Sequence, residues 1–223
     1  MSSFKQYLTK IIYAALGLDL AILIYSVLAG SYPSYLPSGG DPTSYLILYI
    51  HVPISWNMYI AFTLSFVASL LYLLKEDVKY DVLAMTSVVI GVLYGVASIT
   101  TGMLWANEVW GAPWNWDPRQ TTTLVLFLAY VGYIALRGSI SDVDRMRVFS
   151  ATYAIAAFVT LPISYVSAVS FRSLHTQLPK QPLGPDAYML LGMRVVISFA
   201  VYILLQYLYY MRVKDRLEAS MEV

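Results

Sequence analysis

Four of the five tryptophans in this 223-residue chain lie between Trp105 and Trp116, and the run leads directly into Asp117-Pro118-Arg119. The chain has two histidines, His51 and His175, and no cysteine. Thiol nucleophiles, internal disulfides and thiolate metal sites are therefore excluded, while ligation by imidazole stays open. Pro113 and Pro118 bias Ala112 and Asp117 toward extended backbone. Alternate residues of an extended stretch share a face, which sets Trp114 and Trp116 side by side. Trp110, ending a helical turn from Trp105, adds a third ring. Such a surface suits a large, flat, mostly apolar ligand, because stacking and burial of area need little directional polarity. An aromatic belt at a membrane interface accounts for single tryptophans at helix ends. It accounts less well for four in one connection with Trp56 on the same side.

Asp117, Pro118 and Gln120 stand at the cap, the first helical position and the third, the pattern that starts a helix. Asp117 is thus expected to cap a helix whatever else it does. Arg119 falls in that helix's first turn, where the helix dipole disfavours a cation. It calls for an anionic partner, either a ligand carboxylate or a side chain such as Glu108 or Asp117.

The elements that hold these residues follow from composition. The chain is 59% hydrophobic and 12% charged, with a mean hydropathy of +0.64. Too few charges remain to cover a soluble globule, and the expected fold is an all-α integral membrane bundle. Six segments approach the ~20 apolar residues a bilayer span needs: about 8–28, 45–74, 82–104, 121–136, 148–169 and 188–211. They make one membrane domain over 1–223, with an outer tryptophan loop at 105–120 between the third and fourth spans. Ser31 to Asp41, rich in Pro, Gly and Ser, separates the first two spans. Ten Lys and Arg lie on one side and three on the other, the latter being Arg119, Arg172 and Lys180. The positive-inside rule then puts both termini in the cytoplasm and the tryptophan loop outside the cell membrane. The first apolar run, preceded by Lys5 and Lys10, is longer than a signal-peptide core and is expected to be a retained span.

Asp41-Pro42 resembles a second cap with a first-turn proline, so the second helix is expected to begin near Pro42. His51 then stands about one turn above the outer hydrocarbon boundary. His175 lies in the outer connection after the fifth span, so both histidines flank the tryptophan loop. Two neutral imidazoles can serve as axial ligands to a haem iron while indoles cover the porphyrin. Either histidine taken singly would pass for an interfacial or solvated residue. No histidine sits at mid-membrane depth, as a b-type membrane cytochrome requires. Phosphate-cradling glycine loops, a His-Glu-x-x-His site, a nucleophile elbow and a basic patch for nucleic acid are all missing from the sequence.

Trp110-Gly111-x-x-Trp114-x-Trp116-Asp117-Pro118-Arg119 resembles the WWD signature of the haem-handling proteins of cytochrome c maturation. Tyr49-Ile50-His51-Val52-Pro53 and Ser173-Leu174-His175 are similar to the two histidine segments of that superfamily's CcmC branch, whose six-span layout also matches. The resemblance implies a non-enzymatic protein that holds haem b non-covalently, in transit, on the outer face. It implies His51 and His175 as axial ligands, and Trp110, Trp114, Trp116 and Asp117 as platform and docking surface. It also implies transfer to the membrane-anchored chaperone CcmE and association with the transporter subunits CcmA and CcmB.

The chain departs from the family at Leu46, where an arginine often precedes the first histidine, and at Phe171 and Arg172, where tryptophans often precede the second. Arg119, Arg172 and Arg194 remain as candidates to meet the haem propionates. Asp19, mid-span, is expected to close a polar contact between helices. Two other readings stay open. One is a CcsA-like component of a cytochrome c synthase, for which two histidines are few. The other is a small-molecule permease gated by Asp19, Arg194, Pro53 and Pro162.

Overall fold

A computed structural model describes residues 2–29, 41–175 and 183–221. The Ser31–Asp41 connection, apart from Asp41 itself, and Lys180 lie outside the described residues. Helices α1 (Ser2–Ala29), α2 (Leu48–Lys75), α3 (Val78–Trp110), α4 (Pro118–Ser139), α5 (Val143–Phe158), α6 (Thr160–Ser170) and α7 (Pro185–Met221) account for the architecture, with no strand among the described residues. Six of its helical segments are long and apolar enough to cross a bilayer. Large apolar side chains such as Leu28, Leu74 and Leu93 are exposed on their outer surfaces. The protein is a multi-pass membrane bundle whose exterior is solvated by lipid.

Asp41 accepts from the Thr43 hydroxyl at 2.6 Å and from its backbone N–H at 2.9 Å, with Pro42 next in the first turn. These hydrogen bonds, the hydroxyl's first, hold the Asp41 carboxyl below the ordinary carboxylate range. The helix does begin at Pro42, but its first six residues, Pro42–Ile47, wind as a tighter 3₁₀ turn before α2 takes over. Pro53 lies inside α2 and has no N–H for the carbonyl of Tyr49, four residues back. Arg194 of α7 supplies the missing donor, its Nε reaching Tyr49 O at 3.2 Å. The same guanidinium forms a salt bridge with Asp19 of α1 and donates to the Asp19 carbonyl at 2.9 Å. The polar contact expected of Asp19 is thus made with Arg194, and the pair braces α1, α2 and α7.

α2 and α3 share the largest helix interface, and the interior builds outward from it. Phe62 stacks on Tyr130 with ring centroids 3.7 Å apart and planes 4° from parallel, joining α2 to α4 among Met58, Val88, Leu126 and Ala154. At the start of α3, buried Asp81 takes both Arg137 nitrogens at 2.6 Å, and Arg147 approaches to 3.7 Å. This cluster locks α3, α4 and α5 at the end of α3 remote from its tryptophans.

The structure alters two sequence expectations. Residues 105–120 are not all loop, because nothing between Leu104 and Gly111 breaks a helix. α3 therefore runs on through Trp105 and Trp110 and stops at Gly111, whose φ of 75° forms a left-handed C-cap with its N–H on Asn107 O. The connection shrinks to 111–117. The fifth span is also divided, between α5 and α6. Pro162 cannot donate to the carbonyl of Phe158, where α5 ends, and the Thr160 hydroxyl turns back to Ala157 O at 2.6 Å.

Candidate functional site

Where the tryptophan end of α3 meets α2, α4 and the segment after α6, a cavity of about 650 Å³ opens. Its lining includes His51, Trp105, Trp110, Trp114, Arg119 and His175. Small-molecule sites span roughly 300–1,000 Å³, so the volume fits one large ligand. Ser55, Tyr59 and Thr63 continue the wall along the α2 face below His51, at the four-residue spacing of one helix stripe.

His51 is held by α3. Its Nδ1 lies 2.9 Å from Thr101 Oγ1, its Nε2 lies 3.4 Å from Ser55 Oγ, and Ser55 Oγ is 2.7 Å from Ser98 Oγ. The ring sits against Gly102, where a Cβ would come within 3.1 Å of its Cε1. Glycine there leaves the slot the imidazole fills.

Trp105 anchors the aromatic wall. It meets Trp110 edge-on at 5.3 Å, His175 at 6.2 Å and Tyr45 at 6.1 Å between ring centroids. It is 5% exposed, and its indole Nε1 has no acceptor among the described residues. Trp114 and Trp116 do not present two faces in one plane, because their rings are 87° apart at 5.8 Å. Trp116 adopts a φ of 54°, a left-handed value that interrupts the extended stretch just before Asp117. It is 75% exposed and stands off the cavity, whose indoles are Trp105, Trp110, Trp114 and, from α2, Trp56.

Asp117 caps α4 as expected, with Oδ1 accepting from Arg119 N at 2.8 Å. Gln120 departs from the capping-box pattern by reaching past the cap to Asn115 N at 2.9 Å, which fastens the connection instead. Asp117 does more than cap. Its carboxylate also accepts from the Ser173 hydroxyl at 3.0 Å and from Leu174 N at 2.6 Å, and Ser173 Oγ in turn takes His175 N at 3.0 Å. A 4%-exposed carboxylate thus ties the histidine-bearing segment to the start of α4.

Arg119 donates to Ser164 O at 2.7 Å and lies over the rings of Tyr59 at 5.4 Å and Tyr165 at 5.9 Å. Neither Glu108 nor Asp117 forms a salt bridge with it, and no carboxylate does so among the described residues. Of the three arginine candidates, Arg119 alone lines the cavity; Arg194 is committed to Asp19 and Tyr49, and Arg172 is exposed elsewhere. Trp105, Gly102, Tyr59 and Tyr165 were not singled out as site residues. Helical spacing carried the signal for two of them: Gly102 is three residues before Trp105, and Tyr59 is eight after His51.

The donor set fits haem. Two imidazoles are too few to hold a bare ion but are the right number for the two axial positions of an iron porphyrin. The aromatic wall and the arginine free of carboxylates match an apolar ring with anionic edges.

A family model described as "CcmC: Heme exporter protein C" matches residues 2–221. The Heme exporter protein C of Bradyrhizobium diazoefficiens is 32% identical over 138 residues, covering 62% of this chain and 52% of the relative. That of Haemophilus influenzae is 33% identical over 135 residues, covering 59% and 54%. A putative cytochrome c biosynthesis ccmC-like mitochondrial protein of Arabidopsis thaliana is 26% identical over 206 residues, covering 92% and 76%. The chain spans about half the length of the bacterial relatives it matches. On a match that takes in both histidine segments and all seven helices, the chain belongs to the CcmC, Heme exporter protein C, family.

Proposed function

We propose that this protein binds haem b non-covalently in the tryptophan cavity, with His51 and His175 as axial ligands, and presents it for cytochrome c maturation without catalysis of its own. The observation that carries this reading is the convergence of the chain's only two histidines on one cavity with four indoles, Trp56, Trp105, Trp110 and Trp114, and Arg119. Arg119, the cation on the cavity wall, is the group that would meet a carboxylate of the ligand's edge. The excess of Lys and Arg on the opposite loops supports an outer-face site with both termini cytoplasmic. The receiving partner is a membrane-anchored haem chaperone of the CcmE kind, and exposed Trp116 offers the nearest indole for that contact. CcmA- and CcmB-type subunits would supply the ATP hydrolysis for which this chain has no motif.

The test is an absorbance spectrum of the purified protein reconstituted with haem. Wild type should give a low-spin Soret band, His51→Ala and His175→Ala should each lose low-spin character, and the double variant should lose the band. A double variant with an unchanged low-spin spectrum would show that the ligands lie elsewhere. Gly102→Leu, which pushes a side chain into the space of the His51 ring, should match His51→Ala while the protein still elutes as a folded species.

A further inference from the structure

Thr101 has one hydroxyl hydrogen and sits where two acceptors compete for it. Its Oγ1 is 2.8 Å from Ala97 O and 3.2 Å from Ser98 O, the back-bonding arrangement of a threonine inside a helix. Turning that hydrogen toward His51 would leave Oγ1 facing two carbonyl oxygens with no proton between them. The hydrogen therefore stays on the carbonyl side, and an Oγ1 lone pair faces His51 Nδ1 at 2.9 Å. Two lone pairs at that distance repel, whereas an N–H donor on the ring makes a good hydrogen bond.

We infer that Thr101 is a positioning residue: it fixes His51 as the Nδ1–H tautomer, so that Nε2 carries the lone pair available to iron. The inference rests on the haem-binding reading for its purpose. Thr101 acts through the histidine, since Gly102 rather than Thr101 lines the cavity beside it. The other neighbour of the ring agrees: Ser55 Oγ, at 3.4 Å from Nε2, makes only a long contact that a ligand can displace. The slot at Gly102 seats the ring edge so that the tautomer and the orientation are set by the same turn of α3. A histidine that donates its second N–H becomes a more basic metal ligand, which favours ferric iron.

Histidine nitrogen NMR on the ¹⁵N-labelled apoprotein in micelles reads the tautomer directly. With two histidines in the chain, His175→Ala assigns the signals. Wild type should show protonated Nδ1 and bare Nε2 on His51; Thr101→Ser, which keeps the hydroxyl, should match it. Thr101→Val should move His51 toward the Nε2–H form, and in the haem-loaded state should raise the midpoint potential relative to wild type and Thr101→Ser. Protonated Nε2 in wild type would overturn the inference, as would a Thr101→Val protein with unchanged tautomer and unchanged potential. If Thr101→Val does not fold, the wild-type and Thr101→Ser tautomers still decide. Failure of the haem-binding reading would show separately, as a wild type that takes up no haem whatever its apoprotein tautomer.

Discussion

Asp117→Ala should cost the protein its hold on His175 as well as a helix cap. The substitution strands Arg119 N–H, Leu174 N–H and the Ser173 hydroxyl, all of which now donate to one buried carboxylate. A lost cap costs about 1 kcal/mol, and each buried donor left unsatisfied about 1–3 kcal/mol. A net loss near ~3 kcal/mol is expected, equivalent to a fall of roughly 10 °C in melting temperature for a chain of this size. Because His175 N bonds to the Ser173 hydroxyl that Asp117 anchors, haem affinity should fall by about 10–100-fold, as for groups that orient metal ligands. Asp117→Asn should recover part of the loss, since one amide oxygen can keep both the Arg119 N–H and the Ser173 hydroxyl while its NH₂ would face the Leu174 N–H. Trp116→Ala is the contrast: its ring is off the cavity, so haem affinity should stay near wild type while transfer to the chaperone slows. Melting curves and haem titration of the three variants check this set. Full haem affinity in Asp117→Ala would show that the tether is dispensable.

The second large effect is expected at the brace between α1, α2 and α7. The Arg194 side chain is 5% exposed and that of Asp19 22%, so either single change leaves an uncompensated charge in the bundle. Breaking a buried pair from one side costs about 3–5 kcal/mol, and Asp19→Leu and Arg194→Leu should each destabilise on that scale. The double variant Asp19→Leu/Arg194→Leu should recover much of the loss, because a well-packed apolar pair costs no desolvation. Arg194→Leu also removes the side-chain donor at the Tyr49 carbonyl that Pro53 cannot serve, two residues before His51. Pro53→Ala restores a backbone donor there, so Arg194→Leu should cost less in that background. Denaturation in micelles, arranged as a double-mutant cycle, measures both couplings. Additive single losses would refute the pair as a unit. A pair committed to each other and to Tyr49 acts as a static support for the first histidine, which gives it little freedom to gate a permease.

Much of this was legible because the relevant signals are local. Asp41-Pro42 and Asp117-Pro118 announced helix starts through the types of two adjacent residues, and both were found with the cap hydrogen bond in place. Span number followed from runs of apolar residues against a fixed bilayer thickness. The misjudged features turned on interactions between distant segments or on single dihedral angles. Membership of the tryptophan run groups Trp105 with a loop, yet the absence of a breaker before Gly111 keeps it on α3. Alternation sets Trp116 beside Trp114, and one left-handed φ turns it away.

The sequence by itself determined an all-helical, six-span membrane protein with two imidazoles and a tryptophan run near the same end of the bundle, because hydropathy, capping and residue counts need no knowledge of packing. Only the tertiary structure decided which groups share a cavity and which are committed elsewhere. It gave Arg194 to Asp19 and the proline-freed carbonyl of Tyr49, left Arg119 without a carboxylate, and replaced Trp116 by Trp105 in the wall. It also assigned Asp117 to a segment 56 residues away. The physical reason is that a buried charge or hydrogen-bonding group must find a partner wherever the fold brings one within about 3 Å, and that choice is made across helices rather than along the chain.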